Sequence, residues 1–150
     1  MYQRILVPVD GSETAKQGLA EAVRLAQALG AQLRIVHVVD DSALALNPET
    51  GIAAAPLVEH FAEGGKEILE EARVLAAAQG IDPDIVLHEN FTGQVADVIV
   101  NEARNWPAQL IVMGTHGRHG LRQAVLGSDA QAVVHAAPVP VLLVRAPADD

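Results

Sequence analysis

Two short stretches of this chain combine residue types that handle nucleosides and phosphates. The first is Asp10-Gly11-Ser12, a carboxylate and a hydroxyl on either side of a glycine, directly after the apolar run Ile5-Leu6-Val7-Pro8-Val9. The second runs from Gly114 through Gly117, Gly120 and Gly127 to Ser128, and it also leaves an apolar run, Leu110-Ile111-Val112-Met113. Glycines let a backbone come close to a bulky ligand, and the N–H groups at the start of a following helix face an anion with the helix dipole behind them. Ser128 adds a hydroxyl donor. A phosphate cradle fits this pattern, and so do ordinary turn glycines after a strand. Two common phosphate motifs are excluded. No Gly-Lys-Ser/Thr follows, as a Walker A loop requires, and His116 stands where the dinucleotide fingerprint needs its second glycine. Asp10 by itself reads equally as a turn or helix-capping carboxylate.

The remaining reactive side chains form no ordered set. The six histidines include His116-x2-His119, with His135 beyond, but no third ligand stands at a set spacing, so no metal site is expected from the protein alone. His37 lies within an apolar strand, where a packed and hydrogen-bonded imidazole is expected rather than a base. Gly127-Ser128-Asp129-Ala130-Gln131 lacks the closing glycine of a hydrolase elbow. Phosphoryl transfer needs a positioned acceptor and charge clamps, and no recognisable motif orders His116, Arg118, His119 and Asp129 for that task. Binding is expected, with no catalytic residue assigned and slow hydrolysis at most.

The elements that must position these loops follow from hydrophobic period. Ile5 to Val9 reads as a buried strand, with Pro8 at its C-terminal end where a missing N–H does no harm. Ala15, Leu19, Ala22, Val23, Ala26 and Leu29 fall at helical spacing, with Ser12 or Thr14 as N-cap and Gly30 as the stop. A strand over Leu33 to Val39 precedes an aperiodic loop from Asp40 to Pro56, read as a lid over a ligand or as a slack connection. A helix from Leu57 to Gln79 follows, its middle weakened at Gly64-Gly65 by about 1 kcal/mol per glycine relative to alanine. The chain continues with a strand at Asp84 to His88, a helix at Val95 to Ala103, a strand at Leu110 to Met113, a helix at Ser128 to Ala136 and a strand at Val139 to Val144. Alternation of strand and helix requires parallel pairing through crossovers, hence a doubly wound α/β fold of five parallel strands, Rossmann-like, with helices on both faces; the order expected is 3-2-1-4-5, with strands one and four side by side in the middle. In that order the loops at Asp10 and Gly114 meet at the point where strand order reverses, the usual ligand crevice of such sheets.

Composition agrees. The 150 residues make one domain, expected over 1–146 with a frayed tail at 147–150. Half the residues are hydrophobic while aromatics are 3%, so aliphatic side chains must fill the core. A net charge of −9 with ten Lys plus Arg argues against nucleic acid as a partner. The absence of cysteine excludes disulfides and thiolate chemistry, and together with a first strand that begins at once and no long apolar run it points to a cytoplasmic protein without membrane insertion.

The spacing Gly114-x2-Gly117-x9-Gly127-Ser128 resembles the ATP-binding signature of the universal stress protein family. Three more segments are similar to that family in register with the strand order: Ile5 to Ser12, Leu110 to Gly114, and Ala137-Pro138-Val139-Pro140-Val141-Leu142-Leu143-Val144. The resemblance implies adenine and ribose near Pro8, Val9, Asp10, Val38 and Met113, with Asp10 giving the nucleoside a polar contact. It implies phosphates at Gly114, His116, Gly117, Gly127 and Ser128, with Arg118 and Asp129 in the same loop. The ligand would be ATP, or ADP or AMP, with Mg2+ or Mn2+ held by the phosphates. It further implies a homodimer joined through the last strand, Val139, Pro140, Val141, Leu142, Leu143 and Val144, and a regulator or sensor of stress read by a protein partner. Slow ATP hydrolysis in the same crevice and an interaction module without nucleotide are the alternatives. One departure stands out: where the family carries a small apolar residue and then a hydroxyl, this chain has Asp129-Ala130, which loses a hydroxyl and puts a carboxylate close to the expected phosphates. That carboxylate either points away, pairs with Arg118 or Arg122, contacts a divalent ion, or simply favours the helix N-terminus.

Overall fold

The computed structural model describes residues 1–40, 54–90, 93–116 and 126–146. Among the described residues the five strands are β1 (Arg4–Pro8), β2 (Gln32–Asp40), β3 (Asp84–Asn90), β4 (Leu110–Gly114) and β5 (Val141–Val144). The helices between them are α1 (Glu13–Leu29), α2 (Ala54–Ala77), α3 (Val95–Asn105) and α4 (Ser128–Ala136). All strand pairs are parallel, as the alternation requires, and the sheet order is β3-β2-β1-β4-β5, the order expected. β1, next to the turn at Asp10, is the central strand.

Side chains alternate across the sheet, and the alternation divides the core in two. Ile5, Val7, Leu33, Ile35, Leu110 and Val112 face α1 and α2, where Leu19, Ala22, Ala26, Leu69, Ala72 and Ala76 cover them. Leu6, Val36, Val38, Ile111 and Met113 face α3 and α4, packing with Ala96, Ile99, Ala103, Ala130 and Val133. Each central strand is buried on both faces, which is why its sequence is a continuous apolar run rather than an alternating one. The small alanines let the helices lie close to the sheet.

Local chemistry sets the helix ends. The Ser12 hydroxyl accepts from Ala15 N–H and caps α1, and Gly30 ends it in the left-handed region at φ 64°. α2 begins at Ala54, earlier than the expected Leu57, because Pro56 falls in its first turn, where no N–H is needed. The loop expected from Asp40 to Pro56 otherwise lies outside the described residues, as does the tail at 147–150. The last strand starts at Val141 rather than Val139, since Pro138 and Pro140 have no N–H to give a ladder. Pro140 contributes only its carbonyl, which accepts from Ile111 N–H at 3.0 Å.

Gly64 and Gly65 do not interrupt α2, and they serve different ends. A Cβ on Gly64 would meet nothing within 4 Å, whereas one on Gly65 would lie 2.8 Å from both His37 Cδ2 and Leu87 Cδ1. The second glycine is what lets α2 rest on β2 and β3.

Candidate functional site

The crevice arises from where strand pairing stops. β1 stays paired with β2 up to Pro8↔Val36, and β4 with β5 up to Gly114↔Val144, but the last partners between β1 and β4 are Leu6↔Ile111. Backbone groups alternate along a strand, and Arg4 accepts from Gln109 on the β4 side while Val9 donates to Val36 on the β2 side. Pro8 therefore turns its imide nitrogen toward β4 at the point where the two strands separate. A residue with no N–H leaves no donor unmet there. The sequence expectation for Pro8 holds, and its position marks the crevice mouth.

One lip is the β1–α1 turn. Asp10 Oδ1 accepts from Ser12 N–H at 2.9 Å, and Gly11 takes φ 83°, a conformation that favours glycine. Asp10 is half-buried. Its carboxylate is thus aligned by the turn that also starts α1, so the capping reading of Asp10 and a ligand-facing reading are compatible.

The other lip runs from β4 to α4. Thr115 N–H donates to Val144 O at 3.0 Å, and Gly127 N–H donates to Thr115 O at 2.7 Å, which pins the two described ends of the glycine-rich segment to each other. Gly127 is the N-cap residue of α4 and supplies no side-chain cap, so the first-turn N–H groups rely on other acceptors. Ser128 and Asp129 are exposed on that turn. Gly117, Arg118 and His119 lie outside the described residues.

The two lips are fastened together. Thr14 Oγ1 donates to the His116 carbonyl, and the Thr115 hydroxyl pairs with His116 Nδ1 at 2.9 Å. A Cβ on Gly114 would lie 2.7 Å from the Thr14 carbonyl carbon and 2.8 Å from its oxygen. The glycine that the sequence suggests for close approach of a ligand thus has its side-chain space filled by α1. Val38 and Met113 are buried among the side chains facing α3 and α4.

The chain as a whole has counterparts among known proteins. The universal stress protein family model matches residues 1–145. The chain belongs to the universal stress protein family. The universal stress protein YxiE of Bacillus subtilis is 34% identical over 97% of this chain and its own full length. Among solved structures, the universal stress protein UspA from Lactobacillus plantarum superposes with a TM-score of 0.82 at 31% identity, covering 96% of this chain and 98% of that one. A universal stress protein in complex with cAMP gives 0.70 at 28%, with 95% and 97% covered. The Archaeoglobus fulgidus universal stress protein in complex with dAMP gives 0.67 at 26%, with 95% and 98% covered.

A second polar cluster in this universal stress protein was not evident from its sequence. Glu102, on the apolar face of α3, is 7% exposed. Its carboxylate accepts from Arg34 Nη1 at 2.7 Å and pairs with His88 Nε2 at 2.8 Å. Arg34 also reaches Asp84 at 3.3 Å and lays its guanidinium over Trp106, 4.7 Å from the ring centre. Burial pushes the Glu102 carboxyl up, but the hydrogen bonds from Arg34 and His88, with the charges behind them, outweigh it and hold the group below its ordinary value. The cluster ties β2, β3 and α3. The available signal was period: Arg34, Asp84 and His88 share the face of β2 and β3 that looks toward α3. Among the described residues no three metal-ligating side chains converge, and no helix is long and apolar enough to cross a membrane.

Proposed function

We propose that this universal stress protein binds an adenine nucleotide in the crevice between β1 and β4 and acts as a cytoplasmic regulator in the stress response. The observation that carries the reading is convergence: the Asp10 carboxylate and the N-terminus of α4, which has no side-chain cap, flank the place where β1 and β4 part. A carboxylate accepts hydrogen bonds from ribose hydroxyls, and a helix N-terminus with the Ser128 hydroxyl donates to phosphate. The cAMP and dAMP complexes of the two related structures support the same ligand class. ATP is the ligand proposed here, its phosphates reaching Gly114, His116, Gly117, Arg118, Gly127 and Ser128. An Asp129 carboxylate turned toward the phosphates, and not paired with Arg118 or Arg122, would oppose the most highly charged ligands, since like charges 4 Å apart repel by about 4 kcal/mol at an effective dielectric of about 20. Mg2+ or Mn2+ on the phosphates offsets that repulsion.

Isothermal titration with AMP, and with ATP plus Mg2+, tests the reading; no heat at high protein concentration with either nucleotide refutes it. Binding without turnover is the expected chemistry. The imidazole of His116 does stand beside a hydroxyl, that of Thr115, but Thr115 is 7% exposed, so it orients the ring rather than attacks a phosphate. ATP recovered intact after prolonged incubation supports this, and ADP release refutes it.

The homodimer through β5 belongs to the same proposal. β5 is an edge strand, and Leu142 on it and Val134 on α4 remain exposed at 38% and 45%. An apolar edge of this kind is suited to pairing with a second copy.

A further inference from the structure

We propose that His37 is a positioning residue for Asp10, acting through the Val9 carbonyl. The proposal rests on the nucleotide reading for its functional consequence, but its structural core can be tested without ligand. The β1–β2 register ends at Pro8↔Val36. Beyond it, Val9 is held twice from β2: its N–H donates to Val36 O at 2.9 Å, and its carbonyl accepts from His37 Nδ1 at 2.7 Å. The carbonyl of Val9 belongs to the peptide unit whose nitrogen is that of Asp10. Fixing that plane places the Asp10 N–Cα bond, and with it the axis about which the side chain must turn to make its Oδ1 bond to Ser12 N–H.

His37 suits this task better than a backbone donor. A carbonyl only accepts, so Nδ1 carries a proton whenever the bond exists, whatever the state of the other nitrogen. The ring is 9% exposed, so water competes weakly for the Val9 carbonyl. Its opposite edge lies under α2, where Gly65 has no Cβ and therefore leaves room for Cδ2. The imidazole is confined from two sides, by β1 through a hydrogen bond and by α2 through packing. Its position is set by the fold, and the Asp10 peptide inherits that setting.

Two substitutions separate the donor from the bulk. His37→Asn places an amide NH2 close to the position of Nδ1, whereas His37→Leu fills space without a donor. In the ligand-free protein, His37→Leu should move the Ser12 amide resonance while His37→Asn leaves it near the wild-type position. In wild type, the imidazole nitrogen spectrum should show a protonated Nδ1. With AMP as the probe, His37→Leu should weaken binding by about five- to tenfold, the worth of one net hydrogen bond, and His37→Asn should restore most of it. In an Asp10→Ala background, His37→Leu should cost nothing further, because its effect passes through Asp10. The proposal is overturned by an unmoved Ser12 resonance in His37→Leu, by equal losses in both variants, or by the same loss with Asp10 already removed. If wild type binds no AMP, the nucleotide reading fails, and the Ser12 resonance alone upholds or overturns the positioning role.

Discussion

Replacing Gly64 and Gly65 by alanine, one at a time, makes a matched pair in a single helix. Both substitutions add the same methyl group and should gain the same intrinsic helix propensity, about 0.8–1.0 kcal/mol. Their surroundings differ. The Gly64 methyl enters open space, so Gly64→Ala should keep the whole gain, and about 1 kcal/mol raises the midpoint of a domain this size by about 2–4 °C. The Gly65 methyl must displace His37 Cδ2 and Leu87 Cδ1, both 2.8 Å away, and Val39 Cγ2 at 3.2 Å. Leu87 can change rotamer, but His37 is held by its bond to Val9 O, so the strain falls on α2 or on that bond. Overpacking of this kind costs about 1–3 kcal/mol, which cancels or exceeds the propensity gain. Gly65→Ala should therefore melt no higher than wild type and up to several degrees lower. Thermal unfolding followed by circular dichroism, with urea titration to give the free energies at one temperature, measures both variants. Gly65→Ala as stable as Gly64→Ala would refute the close packing of α2 on His37.

Gly114→Ala should be more damaging than Gly65→Ala, because the atoms in its way are Thr14 backbone and cannot rotate aside; a loss of about 2–3 kcal/mol in urea unfolding is expected. Glu102→Gln removes the charged acceptor between Arg34 and His88 and should cost about 1.5–3 kcal/mol by the same assay, with a wild-type melting point counting against the cluster. The pH dependence follows in sign. Because the folded Glu102 carboxyl is held below its unfolded value, its contribution is complete above the unfolded carboxylate range and is lost as pH falls through the folded value, so Glu102→Gln should differ from wild type at neutral pH and converge with it in acid. Leu142→Lys places a charge on the β5 edge and should yield a monomer by sedimentation, whereas an unchanged mass would remove β5 from the interface.

The sequence made the layout readable wherever local pattern and global fold agree. The helix pattern from Ser128 to Ala136 matches α4 residue for residue, and Ser12 is one of the two capping candidates for α1. The parallel pairing follows from alternation, while the order 3-2-1-4-5 needs strands one and four side by side in addition. The features that escaped depend on distance along the chain. Glu102 meets Arg34 across 68 residues, and nothing near either position announces the pairing. Gly65 looked like a defect in a helix because propensity is a local quantity, while its use lies on two strands packed beneath it. Gly114 was legible as a place of close approach, but what approaches is the first turn of α1. The early start of α2 was hidden by Pro56, which reads as a breaker until its place in the first turn is known.

The contact between Thr14 and Gly114 has a consequence for how such a chain tolerates change. With the Thr14 backbone seated against Gly114 and the Thr14 hydroxyl bound to the His116 carbonyl, the start of α1 and the end of β4 are held at close range. On the nucleotide reading proposed above, a ligand of different size is met by side chains at the rim and not by parting α1 from β4. Any side chain gained at position 114 demands a compensating shift at position 14, so the two positions are expected to drift together and not singly.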